Sequence, residues 1–186
     1  MLLACLAAAL SGCAAVITPP QEMRQPTTVL LLDHGRHVSL VLPAGDGLMR
    51  YAYGDWAWYA EMRTGFTDAL RALLRPSPAA LGRRALRPPP QAAAVRAQLR
   101  VGVQSIHVLH VEEARVRALV QRLDALFHGR TQRYNRAYDL HFVSHPTPYR
   151  IGHNSNHVVA DWLRELGCEV RGPVVLADWR LAEEGT

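Results

Sequence analysis

The chain contains no lysine; all 21 of its basic residues are arginine. Each cation is therefore a planar fork suited to phosphate or carboxylate, not a mobile point charge. Cysteine is scarce as well, with three residues at Cys5, Cys13 and Cys168. No HExxH zinc motif, no internal repeat and no DNA- or RNA-binding motif occurs. The arginines are scattered along the chain rather than gathered in a stripe. Nucleic acid is therefore not an expected partner, although the formal net charge is +5. That charge instead favours contact with anionic envelope polymers or lipid headgroups. With 49% hydrophobic and 20% charged residues over 186 positions, disorder is excluded and one domain with a real core is expected.

What is present begins at the N-terminus. The run MLLACLAAALSGC is apolar and small, too short to span a bilayer but long enough for a signal-peptide core. It ends in Leu10-Ser11-Gly12-Cys13, which looks like a bacterial lipobox, although no positive residue precedes the apolar run. On this reading residues 1–12 are a signal peptide and the mature chain starts at Cys13, whose thiol carries the lipid. Ala14 follows rather than Asp, which points to the outer membrane, facing the periplasm. The alternative is a buried N-terminal helix. Cleavage and lipidation would leave Cys168 as the one free thiol, so no intramolecular disulfide is expected. Cys168 follows Gly167 beyond a helix end and reads as a small, half-buried residue rather than a nucleophile.

Residues 13–26, with the Pro-bearing stretch TPPQEMRQP, read as a polar membrane tether, and 27–186 as a single domain. Thr27 to Asp33 is a continuous apolar run suited to a buried strand. HVSLVLP alternates and is β-branched, a second strand, and Arg50 to Tyr53 is a short third. Asp55 is placed to cap a helix running to Gly65 and on through Phe66 to Leu74. Residues 75–90, RPSPAALGRRALRPPP, read as a Pro/Arg-rich surface excursion. Gln104 to Glu112 is a strand. From Ala114, apolar residues at Val116, Leu119, Val120, Leu123, Leu126 and Phe127 mark an amphipathic helix ended by Gly129. Tyr138 to Val143 is a short strand or extended loop, and GPVVLADW a last strand. Between them lies a helix with Val158, Val159, Trp162, Leu163 and Leu166 on its apolar face. The class expected is α+β, a small antiparallel sheet packed against helices.

The stretch before that last helix is unusual. Asn154, Ser155 and Asn156 sit between His153 and His157 where the helix should begin. Ser155 there is either an N-terminal capping residue or a nucleophile. A helix N-terminus carries partial positive charge and free N–H groups, which could cradle an oxyanion. A serine hydroxyl stays protonated there and attacks only if a base takes its proton.

Taken in order, HGRHVSLVLP, YAYGDWAWY and HNSNHVVADWLRELG resemble the three landmarks of the bacterial family of domain of unknown function 2459. Those proteins read His-Gly-Trp-His-Thr…Val-Leu-Pro, then Gly-Trp-Gly-Asp, then Asn-Cys-Asn-Thr-Trp. The order also resembles circularly permuted NlpC/papain-like folds, including relatives of lecithin retinol acyltransferase. The resemblance implies a permuted papain-like fold with Ser155 as nucleophile, His37 as general base and Asp55 as a candidate orienting group. His34, Tyr53, Asn154, Asn156 and His157 would line the substrate site. Arg36, Val38 and His157 depart from the family's Trp, Thr and Thr, and Ser155 stands where cysteine is expected. Bland readings stand beside these: a strand histidine for His37, a helix cap for Asp55, and core packing for the aromatic cluster of Tyr51, Tyr53, Trp56, Trp58 and Tyr59.

Three functions follow as expectations. The first is a hydrolase or acyl or peptidyl transferase working on an amide, ester or thioester, with peptidoglycan peptides or lipid acyl groups as substrates. The second is a pseudoenzyme that binds an envelope ligand or partner. The third is a metal-binding lipoprotein using the histidine pairs His34/His37, His107/His110, His141/His145 and His153/His157. The first two need no metal and no cofactor. The membrane, reached through lipidated Cys13, is the expected partner, and the domain is expected to be monomeric.

Overall fold

The computed structural model describes residues 14–35, 37–61, 76–175 and 178–182. Ten strands and four helices lie along them. The strands are β1 Ala14–Thr18, β2 Pro26–Asp33, β3 Val38–Ala44, β4 Gly47–Asp55, β5 Ser77–Leu86, β6 Ser105–Glu112, β7 Arg133–Asn135, β8 Leu140–Tyr149, β9 Glu169–Arg171 and β10 Asp178–Leu181. The helices are α1 Trp56–Tyr59, α2 Ala92–Arg96, α3 Glu113–Ala125 and α4 Ser155–Glu165. The class is α+β, as the alternation of apolar patterns predicts.

Seven strands form one antiparallel sheet in the order β6-β2-β3-β4-β5-β8-β7. β3 and β4 form a hairpin around Gly45-Asp46, with Gly45 at φ 60°, where the first position of a II′ turn favours glycine. β2 reads as a continuous apolar run because both faces of the sheet are covered there. On one face, Leu31, Leu40, Tyr51, Tyr53, Leu81 and Val143 meet α3 and α4 through Val116, Leu119, Leu123, Val158, Val159, Trp162 and Leu163. Alternate residues point the other way. There Leu30, Leu32, Val41 and Leu48 meet Val95 of α2, while Ala52, Ala80, Leu140 and Phe142 meet Tyr59 and Ala60 at the end of α1.

The structure corrects the sequence reading in several places, the first being that α1 ends at Tyr59, with Ala60 as its C-cap, rather than running on to Gly65. The stretch 75–90 is not a surface excursion throughout, since β5 lies inside it, paired with both β4 and β8. Pro78 sits where the register shifts between Ser77 and Ala79, so its missing N–H breaks no ladder pair. Arg83 and Arg84 find Asp124 and Asp139, partners distant in sequence. The tether is shorter than read, because β1 is part of the fold. It runs parallel to β10 and antiparallel to β9 and buries Ala15 and Ile17. The last strand is split: Gly172–Val175 connects β9 to β10 rather than extending β10. Cys168 is buried rather than half-buried, and burial pushes its thiol up to about 11. The expected signal segment, Cys13 and the helix over Phe66 to Leu74 lie outside the described residues, as does Arg36.

Candidate functional site

The motif that opens α4 has a clear local job. Asn154 is the N-cap, with extended φ −99° and ψ −173°. Its Oδ1 accepts from the backbone N–H of Asn156 at 3.0 Å and of His157 at 3.2 Å. The same oxygen lies 2.9 Å from His157 Nδ1, which donates as the N–H tautomer. The Nδ2 groups of Asn154 and Asn156 both donate to the carbonyl of Val175, at 3.0 and 3.3 Å. The two amides around Ser155 therefore cap a helix and clasp the β9–β10 connection to it. Ser155 is the first helical residue and only 5% exposed. Among the described residues, no hydrogen bond engages its hydroxyl.

The rings near the start of α4 belong to the helix-covered face. Tyr53 meets His145, His153 and Tyr149 at centroid distances of 5.0, 5.6 and 6.2 Å. Its hydroxyl donates to the Thr147 carbonyl at 3.0 Å, and burial raises its pKa. Burial also lowers the pKa values of His145, His153 and His157, so these imidazoles favour the neutral form. Asp55, at the end of β4, accepts from Trp58 N–H at 2.9 Å and from the Ser77 hydroxyl. It caps α1 as the sequence suggests, and both its oxygens are committed there.

His37 points to the other face. Val38 just after it joins the helix-covered core, so by strand alternation His37 lies with Ser39 on the opposite side. Its ring stands edge-on to Tyr59 at 5.5 Å and Tyr138 at 6.4 Å, with His34 at 6.5 Å. These residues border a cavity of about 420 Å³, also lined by Ser39, Arg50 and Arg100. The structure thus brings His34 and His37 together, but it does not bring either to Ser155. Tyr53, Asn154, Asn156 and His157 stay on the Ser155 side, and Asp55 belongs to the α1 cap.

At the base of the cavity is a small polar network. Arg50 is 3% exposed. Its Nε donates to Ser39 Oγ at 3.0 Å, its Nη1 to the Tyr138 carbonyl at 3.4 Å, and its Nη2 to His34 Nε2 at 3.2 Å. His34 Nδ1 lies 2.7 Å from the Gly102 carbonyl, and Nε2 lies 2.9 Å from Ser39 Oγ. A carbonyl at one nitrogen and a guanidinium at the other assign the neutral Nδ1–H tautomer. Burial, then the charge of Arg50, pushes the His34 pKa down to about 4. Burial and the nearby Arg84 lower the Arg50 guanidinium to about 10, so it stays charged at neutral pH. Arg84 pairs with Asp139, and Arg100 lies 3.8 Å from the same carboxylate. Tyr59 and Tyr138 pack at 4.5 Å, and Trp58 Nε1 donates to the Tyr138 hydroxyl at 2.8 Å.

Sequence patterns do not single out Ser39, Arg50, Arg100 and Tyr138. One signal exists for Arg50: an arginine inside LMRYAY, at a position a buried strand should fill with an apolar residue. Among the described residues, no three His, Cys, Asp or Glu side chains converge as a metal site would require. No helix among them is long and apolar enough to cross a membrane. No family model, no curated protein and no solved structure matches the chain.

Proposed function

We propose that the chain is an envelope lipoprotein whose domain binds a small molecule in the His37 cavity, and that Ser155 carries no acyl-transfer chemistry. The observation that carries this reading is the placement of His37 and Ser155 on opposite faces of one sheet. A serine nucleophile needs a base within hydrogen-bond reach of its hydroxyl, about 2.6–3.2 Å or one water away. Side-chain rotation can close a loose contact within a pocket, but it cannot carry an imidazole through a hydrogen-bonded sheet. Ser155 instead begins a helix already capped by Asn154.

The fold we assign is a permuted papain-like one, on the order of its parts: an early strand preceded by histidine, then a late helix opening on an Asn-x-Asn motif. A domain of that type that lost its thiol and turned its histidine elsewhere would keep a pocket and lose the reaction. Cys13 directly precedes β1, so a lipid there would seat the domain against the leaflet with almost no slack.

The test is labelling of the full chain with a fluorophosphonate, together with hydrolysis of small esters. The expected result is no labelling and no hydrolysis above that of Ser155→Ala. Labelling that disappears in both Ser155→Ala and His37→Ala would overturn the reading and restore a serine hydrolase or transferase.

A further inference from the structure

Given that the cavity is a binding site, the reading above, we infer that its ligand carries a carboxylate, which pairs with Arg50, and a flat apolar part, which packs against Tyr59 and Tyr138. The charge of Arg50 is balanced only at a distance, by Asp139, whose carboxylate favours the charged guanidinium but is itself held by Arg84. Buried guanidinium groups are ordinarily paired with a carboxylate, because desolvation of a lone cation is costly. Arg50 is 3% exposed, yet no carboxylate lies within ion-pair distance of it among the described residues. Its three hydrogen-bond partners, a hydroxyl, a carbonyl and an imidazole, are all neutral. Two of the five N–H groups of a guanidinium are then left over, and Arg50 borders the cavity.

The surroundings add to the positive potential. Arg84 and Arg100 flank Arg50, while Asp139 is the carboxylate next to them, and Arg84 holds it. The Tyr134 hydroxyl donates to the other oxygen of Asp139 at 2.8 Å. His34 is neutral, so it neither adds charge nor removes it. Arg100, with its side chain 66% exposed, stands at the rim where an incoming anion would meet it first.

The count of free donors favours carboxylate over phosphate. Two N–H groups on one planar fork match the two oxygens of a carboxylate, and one negative charge balances one guanidinium. A phosphate dianion would bring a third oxygen and a second charge to a site with no second buried cation bordering it. The remaining walls are aromatic and aliphatic, with His37, Tyr59, Tyr138 and Leu140 around a space of about 420 Å³. That is the low end of the range for small-molecule sites and suits a compact ligand with one ring.

The experiment uses the full chain and four probes: benzoate, phenyl phosphate, benzyl alcohol and inorganic phosphate. Binding is followed by NMR shifts of the Arg50 Nε–H and of the His34 and His37 rings, up to about 10 mM, the range open to a ligand of so few atoms. Benzoate is expected to saturate and to shift these signals. Benzyl alcohol and inorganic phosphate are expected to bind at least about tenfold more weakly, and phenyl phosphate no more tightly than benzoate. Arg50→Met should abolish benzoate binding. Where that variant fails to fold, Arg50→Lys, which keeps the charge but loses the fork, should weaken it about tenfold. Arg100→Gln should weaken it severalfold and reduce its salt dependence. Benzyl alcohol binding as tightly as benzoate, or benzoate indifferent to Arg50→Lys, overturns the carboxylate assignment while leaving the cavity a binding site. Tighter binding of phenyl phosphate than of benzoate overturns it in favour of a phosphate ester. Failure of all four probes overturns this inference and removes the support for the cavity reading on which it rests.

Discussion

At the residue scale, the two amides and the hydroxyl that open α4 have different weights. Asn154 satisfies two backbone N–H groups at the helix start and holds Val175. Asn154→Ala is expected to cost about 1–2 kcal/mol, the usual loss for a polar N-cap, read as a shift in the urea midpoint. Ser155→Ala should change stability by less than about 0.5 kcal/mol, since its hydroxyl makes no hydrogen bond to lose among the described residues. Equal losses for the two would contradict the assignment of the cap. His34 gives a pH signature. Its folded pKa, about 4, lies below the ordinary value of 6.5. Between those two pH values the unfolded chain takes up a proton that the folded chain refuses. The contribution of His34 is therefore full above pH about 6.5 and is lost as pH falls toward 4, by up to about 3 kcal/mol. Half-buried His107, His145, His153 and His157 shift in the same direction. The readout is thus the difference in urea midpoint between the wild type and His34→Gln, which should shrink steadily below pH 6.5. What sequence can say at this scale is uneven. Asp55 as a cap is visible because the capping partner is three residues away. Arg50 at the floor of a cavity is not, because Ser39, His34 and Tyr138 reach it from three different parts of the chain.

At the element scale, local pattern serves where an element has its own periodicity. β2, β3, β6, α3 and α4 all lie where apolar spacing puts them, to within a few residues. β5 escapes because its composition speaks for a loop: two prolines near its start, paired arginines, and Gly82 in the middle. Each is explained only by neighbours. Gly82 faces the Phe142 ring, and a Cβ built there would meet Phe142 Cε1 at 2.5 Å. Gly82→Ala is therefore expected to destabilise by about 1–3 kcal/mol, while Gly102→Ala, with nothing within 4 Å of its would-be Cβ, should cost well under about 1 kcal/mol. Thermal melts of the two variants separate a packed central strand from an exposed excursion. β1 escapes for a related reason. AAVIT is too short to read as a strand by itself, and its partners stand more than 150 positions later in the chain.

At the scale of the whole molecule, β1 joins the two ends of the chain. Ile17 is fully buried, against a small sheet whose core includes Val170 and Trp179. Ile17→Ala should cost about 2–4 kcal/mol, and the change should appear in Trp179 fluorescence together with the global transition if the small sheet folds with the rest. The α+β class is legible in the sequence because it needs only the types of element and their order. The relation between Ser155 and His37 is not, because it depends on which way a residue just ahead of a strand faces. A single step of register decides that. The resemblance to papain-like motifs supplies the pair, but the strand turns one member away.

The most direct measurement of that separation is the thiol pKa of the Ser155→Cys variant, from the pH dependence of alkylation at the substituted position, with and without His37→Ala. A helix N-terminus alone lowers a thiol pKa modestly. The account predicts the same profile in both backgrounds, within about 0.3 pH units. A thiolate formed several units lower only when His37 is present would mean that the imidazole reaches the helix start, and the binding-domain account would fall.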